Sequence, residues 1–308
     1  MHRQYAPPRE PIRNEIVVVF GEFCGTFMFL LMSFIGTQAA LDNNDPTNPN
    51  APLFPFSLLY VASSFGAALA VNVWVFYRVT GGMFNPAVTL GLVLVGAVKP
   101  IRGLLIFPAQ IVAGIAAAAV TDALLPGPLL VANKLASGTS ISRGLFIEMF
   151  LTAQLVITVY FLAVEKHRAT FLAPLGIGLA VFIAHICGTN FTGTGINPAR
   201  SFGPAVVTDF TGYQWIYWVG PLLGSLLAFA VYTILKWLEY HNANPGQDDD
   251  SFVKKTPAGF NIPTGDRQYS NSTNGTNGTN GAKEHTPSEP RDSGVVQTNS
   301  GPQGFQAV

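Results

Sequence analysis

The chain has 308 residues, 49% apolar and only 11% charged, and its 17 Lys and Arg balance 17 Asp and Glu. So little charge is unusual for a soluble domain and ordinary for a membrane protein, and zero net charge provides no basic surface for nucleic acid. Cys24 and Cys187 lie inside apolar runs with no CxxC or His/Cys ligand spacing. This excludes a disulfide framework or zinc site as an organising device, and we read both as buried apolar thiols.

Residues 1 to 13 are polar, carry Arg3, Arg9 and Arg13, and read as a disordered arm. No apolar run follows Met1 directly, so no cleavable signal is expected and the first span is expected to direct its own insertion. Apolar segments of about 20 residues, the length that crosses a bilayer, are predicted over 16–39, 54–77, 103–124, 144–164, 171–188 and 215–238. Lys99, Pro100 and Arg102 punctuate the chain before the third, and Glu165-Lys166-His167-Arg168 makes a charged turn after the fourth. Trp215, Tyr217, Trp218, Trp237 and Tyr240 flank the sixth span as an aromatic belt would. Residues 241–308 turn low in apolar content, with an Asp248-Asp249-Asp250 run and Asn-Gly-Thr repeats, and are expected to be a disordered tail. Lys and Arg concentrate in the arm, the loop after the second span, the turn at Lys166 and the tail, so both termini are expected in the cytoplasm.

Two shorter apolar segments follow the second and fifth spans, and each opens on the same triplet: Asn85-Pro86-Ala87 and Asn197-Pro198-Ala199. Asn is a favoured N-cap and Pro is favoured at the first helical position, so each triplet reads as a helix start. The apolar runs end near Val95 and Val207, a length of roughly 16 Å, about half a bilayer core. Two half-membrane helices meeting at their N-termini would span the membrane between them. Irregular backbone at that depth requires burial in protein or a wet cavity. The rest of the chain repeats as well. Glu22 with Thr26 matches Glu148 with Thr152, which divides the channel region into repeats of about 14–125 and 142–240. Three spans per repeat make the second copy inverted.

The doubled triplet, with Arg200 directly after the second, resembles the aquaporins (major intrinsic proteins), over roughly residues 14 to 240. The resemblance implies an all-α membrane fold of six spans and two re-entrant half-helices. It implies a homotetramer with one pore per subunit in the lipid bilayer, plasma-membrane residence, water as permeant, and no cofactor, nucleic acid or enzymatic chemistry. By spacing from the triplets it places an outer filter at Phe65, His185, Thr194 and Arg200. An aromatic, a His, a small residue and Arg match the water-selective branch, as do Ser201, Ala205, Tyr217 and Trp218, and the filter is expected to be about one water wide, with Arg200 and His185 supplying donors.

Read from the residues, Asn85 and Asn197 offer amide donors at mid-pore while their oxygens cap helices. The half-helix dipoles add positive potential at the same depth. Arg200, in the first turn of a buried helix, requires a wet or pore-lining position. Glu22 and Glu148 are intramembrane acids. Each is either part of a proton relay or an acceptor for backbone N–H groups beside a half-helix; their symmetry favours the second. Gly21-x-x-x-Gly25 and Gly220-x-x-x-Gly224 permit close helix packing within or between subunits. The leading function is a passive water channel. Its rivals are a broader pore passing hydrogen peroxide or glycerol, a secondary transporter, and a non-conducting adhesive protein. Spans two, three and six hold no further ionisable pair for ion coupling, and adhesion needs neither triplet nor filter.

Overall fold

The structure, a computed structural model, describes residues 11–41, 53–167 and 169–244. The arm over 1–10 and the tail from 245 lie outside the described residues. The described chain runs as α1 (Pro11–Leu41), α2 (Pro55–Phe76), α3 (Pro86–Leu94), α4 (Pro100–Leu124), α5 (Ile141–Val159), α6 (Ala173–Thr192), α7 (Pro198–Val207) and α8 (Ile216–Trp237). Six of these are long and apolar enough to cross a membrane. The other two, α3 and α7, have 9 and 10 residues.

Proline sets several starts. Pro55, Pro86, Pro100 and Pro198 sit in the first turn of their helices, where a missing N–H costs nothing. The Lys99-Pro100-Arg102 stretch is therefore the beginning of α4 and not a break before it. α6 runs beyond the expected end at Gly188 and stops where Gly193 takes φ 74°, a left-handed cap open to glycine. Pro11–Arg13 are already helical, and the chain keeps a short 3₁₀ turn, Tyr240–Asn242, past the end of α8. The arm and tail boundaries thus move outward from residues 13 and 241.

α5 ends in a π turn, Tyr160–Val164. The Glu165 N–H bonds the Tyr160 carbonyl at 2.9 Å and closes that turn. Burial by itself would raise the Glu165 carboxyl. Hydrogen bonds from Tyr232 and Lys236 outweigh it and hold the group below the ordinary carboxylate range. The same bonds tie the end of α5 to the end of α8.

Packing follows the repeat. α1 lies on α4 as α5 lies on α8, α3 lies on α8 as α7 lies on α4, and α2 meets α6 between the halves. The chain crosses six times, so its two described ends share one side, here termed the inner side. Both glycine pairs work within the chain. Gly25 leaves room for the Phe84 ring, and a Cβ on Gly224 would stand 2.5 Å from the Met149 carbonyl oxygen. Three sequence expectations change. Tyr217 is fully buried, so it is not part of an aromatic belt, whereas Trp215 and Trp237 are exposed. Cys24 is half-buried, and Cys187 is exposed on α6. Cys187 borders a cavity on the side opposite the inner one, so an apolar run does not by itself imply burial.

α2 and α6 cross where glycines meet. A Cβ on Gly178 would lie 2.6 Å from both the Ala70 Cβ and the Gly66 carbonyl oxygen. Gly178→Val is expected to cost about 1–3 kcal/mol or more by overpacking. Thermal unfolding in detergent should show a lowered midpoint; an unchanged midpoint would mean that this crossing is not tight.

Candidate functional site

The loops that lead into α3 and α7 are strained in the same way. Phe84 has φ 50° and Ile196 has φ 45°, left-handed values that are costly for a bulky or β-branched residue. A buried carboxylate holds each one. Glu22 accepts from the Met83 and Phe84 N–H groups at 3.1 and 2.9 Å, and from Gln110 Nε2 at 2.9 Å. Glu148 accepts from the Gly195 and Ile196 N–H groups at 2.8 and 2.6 Å, and from the Thr192 hydroxyl at 2.6 Å. Both acids have no exposed surface. Tyr217 donates to the Thr192 carbonyl at 2.8 Å, and Tyr160 donates to the Gly91 carbonyl of α3 at the same distance. Gln110 carried a visible signal, as a polar residue inside a span. Tyr160 and Thr192 carried none, because their partners are far away in sequence.

The strained residues aim their carbonyls across the repeat boundary. Asn85 Nδ2 donates to the Ile196 carbonyl at 2.9 Å, and Asn197 Nδ2 donates to the Phe84 carbonyl at 2.9 Å. The Asn oxygens cap their own helices, accepting from the Ala87 N–H at 2.8 Å and the Ala199 N–H at 2.9 Å. One donor of each amide is therefore spent on the opposite loop. An amide carries two, so one on each Asn is left for the cavity. The sequence reading had both free.

A cavity of about 510 Å³ begins on the inner side at Tyr77, Arg102 and Lys166, passes Asn85 and Asn197, and ends on Phe65, His185 and Arg200. Glu15 pairs with Arg102 near its mouth, 2.5 Å from Nη2. On the opposite side a second cavity reaches Arg200 with Val131 and Gly193. Three side chains stand between the two. Phe65 and His185 stack face to face, their centroids 4.0 Å apart at 22°. The Arg200 guanidinium lies over Phe65 at 5.0 Å. Its Nη1 donates to the Val131 carbonyl at 2.8 Å and its Nη2 to the Gly193 carbonyl at 3.4 Å. The structure thus brings Phe65, His185 and Arg200 together and leaves Thr194 behind the wall. Thr194 is fully buried, with its hydroxyl 3.2 Å from that of Thr189, and it borders neither cavity.

Two details differ from the sequence reading. The rings are in contact, so nothing passes between them unless they part. Phe29 and Phe34 each pack on Phe65 edge to face, at 6.2 and 6.3 Å between centroids. The polarity of His185 also differs. Its Nδ1 lies 2.9 Å from the Val181 carbonyl, which can only accept. Nδ1 must carry the hydrogen, so the neutral ring presents a lone pair at Nε2 and not a donor. That Nε2 and the Arg200 Nε are buried with no hydrogen-bond partner among the described residues.

The carboxylate clamp can be tested directly. Glu148→Gln replaces one acceptor oxygen by an amide that faces N–H donors. Bonds to a charged acceptor contribute about 1.5–3 kcal/mol each. The thermal midpoint of Glu148→Gln should fall below that of Thr192→Val, which removes one of the three bonds to the acid together with the hydroxyl that accepts from the Thr194 N–H. Equal midpoints would show that the backbone N–H groups do not depend on the acid.

Residues 13–232 match the major intrinsic protein family. The chain is 63% identical over 294 residues to Aquaporin-1 of Gibberella zeae, covering 95% of this chain and 88% of that protein. It is 58% identical over 240 residues to Aquaporin-7 of Botryotinia fuckeliana, covering 77% of this chain but only 53% of that longer protein. Among solved structures it resembles the aquaglyceroporin from Plasmodium falciparum, with a TM-score of 0.59 at 19% identity, over 72% of this chain and 99% of that one. At that identity the likeness speaks for the fold alone. Six spans enclosing two half-helices that meet at their capping asparagines give the same answer as the sequence matches: the chain belongs to the major intrinsic protein family, whose members are membrane channels and not enzymes.

Proposed function

We propose that this channel conducts water passively down an osmotic gradient and excludes protons and ions. The observation that carries the proposal is the convergence of Phe65, His185 and Arg200 at the end of an otherwise continuous cavity. Two rings leave no width for a polyol and the guanidinium repels cations. A water that slips past finds a donor on Arg200 and an acceptor on His185. At mid-cavity the remaining amide hydrogen on each of Asn85 and Asn197 turns the water oxygen toward the asparagines. Its hydrogens then point along the channel, which breaks the relay a proton needs. The N-terminal ends of α3 and α7 add positive potential there, the electrostatic barrier of aquaporin-type pores. Glu22 and Glu148 are structural acceptors in this scheme and take no part in a proton relay. Pro86, Ala87, Pro198 and Ala199 start the half-helices.

We further propose a homotetramer in the plasma membrane, with both termini in the cytoplasm. Arg78, Lys99, Arg102, Lys166 and Lys236 fall on the inner side, against Lys134 and Arg143 on the other, and this bias favours a cytoplasmic inner side. Many large apolar side chains, among them Phe20, Val75, Leu104 and Phe150, are exposed on the spans and suit lipid or a neighbouring subunit.

Swelling of proteoliposomes with water, glycerol and urea, run beside a proton-flux assay, tests the proposal. His185→Ala should admit glycerol or urea while water still passes and cations stay excluded, because the guanidinium keeps its charge. Removing Arg200 as well should raise proton and cation leak, since the barrier then rests on the half-helix ends alone. A wild type that passes glycerol as fast as His185→Ala would overturn the assignment of water selectivity. Flux should follow osmolarity and ignore a pH gradient; proton-driven uptake would instead indicate a transporter.

A further inference from the structure

We propose that Phe34 of α1 is a positioning residue for the filter, holding the Arg200 guanidinium and the Phe65 ring in place and thereby setting which solutes pass. The effect on solutes rests on the filter reading above; the contact itself does not.

Phe34 is fully buried and borders neither cavity, so it touches no permeant. It touches two groups that do line the path. Its ring meets Phe65 edge to face, with centroids 6.3 Å apart at 73°. The Arg200 guanidinium carbon lies over the same ring at 5.7 Å. The guanidinium is therefore flanked by two aromatic rings, from α1 and α2.

The hydrogen bonds of Arg200 do not fix it unaided. The Nη1 bond to Val131 is short at 2.8 Å, the Nη2 bond to Gly193 is long at 3.4 Å, and Nε has no hydrogen-bond partner among the described residues. One good bond leaves a planar group free to swing about its donor. The rings remove that freedom, because a cation is drawn to the negative face of an aromatic and the attraction strengthens when water is excluded. An aliphatic side chain of similar size would fill the space but has no quadrupole to hold the charge. Phe34 also packs against the Phe65 ring that stacks on His185, so one residue outside both cavities touches the ring that sets the width of the filter and the group that supplies its donors. In the sequence it is one more apolar residue of a span.

The test compares wild type, Phe34→Leu and Phe34→Tyr in proteoliposomes. Phe34→Leu should raise the glycerol-to-water permeability ratio roughly threefold to tenfold, in the range expected for loss of one buried cation–ring contact. Phe34→Tyr keeps the ring and should retain the wild-type ratio. Solid-state NMR supplies a readout that mere packing would not move. The guanidinium protons of Arg200, shielded by the rings, should shift downfield in Phe34→Leu and stay in place in Phe34→Tyr. If Phe34→Leu does not assemble, Phe34→Met keeps the bulk without the ring and serves the same comparison. An unchanged ratio and an unchanged Arg200 signal in the aliphatic variant would overturn the proposal, as would a tyrosine variant that loses as much as the aliphatic one. A wild type already permeable to glycerol would defeat the water-selective reading, and the Arg200 signal would still decide whether Phe34 holds the guanidinium.

Discussion

Two buried carboxylates make the rest of the structure possible. Each half-helix can begin at mid-membrane only if the chain enters irregularly, and that entry leaves N–H groups at a depth where water cannot satisfy them. Glu22 and Glu148 each take two of those N–H groups in left-handed or adjacent conformations that the backbone would otherwise avoid. With the loops held, the Phe84 and Ile196 carbonyls point across the repeat boundary and receive the opposite asparagine. The halves are locked to each other by the two asparagines that also line the inner cavity. A carboxylate here is costly to bury, and three converging donors are what offset that cost.

The two repeats share this clamp but complete it differently. The first uses Gln110 from α4 as the third donor, and the second uses the Thr192 hydroxyl at the end of α6, itself fixed by Tyr217. The outer constriction draws Phe65 from the first half and His185 and Arg200 from the second, and only α7 carries an arginine after its triplet, where α3 has Val88. Arg200 projects from the first turn of α7, and its partners Val131 and Gly193 come from the loops around it. This asymmetry places one narrow point on the outer side, while the inner side opens past Tyr77 and Lys166. Close approach of the helices at their glycines carries the rigidity inward. Phe65 sits on α2, so the packing of α2 against α6 also sets where Phe65 meets His185.

Much of the architecture was legible in the sequence because the bilayer leaves few choices. An apolar run of span length must be a helix, three spans per repeat must invert the second copy, and Asn followed by Pro starts a helix wherever it lies. Paired acids at matching positions pointed to a paired structural need. Helix ends were less legible, since Pro100 reads as a break yet begins α4, and Gly188 reads as an end although only Gly193 takes the left-handed cap.

What the sequence by itself determined is the class: a membrane-embedded, twice-repeated helical channel with asparagines at the meeting point. What only the tertiary structure decided is how donors and acceptors are shared, across a hundred positions between the repeats and within a single turn at the filter. It spent one amide hydrogen of each asparagine on the other repeat. It gave His185 Nδ1 to Val181, leaving an acceptor where a donor was expected. It set Thr194 behind the wall, brought Phe34 over Arg200 and left Cys187 on the surface. Hydropathy and periodicity report whether a residue prefers hydrocarbon to water. They do not report which face of the helix it occupies or which distant carbonyl it meets, because those follow from how six helices cross.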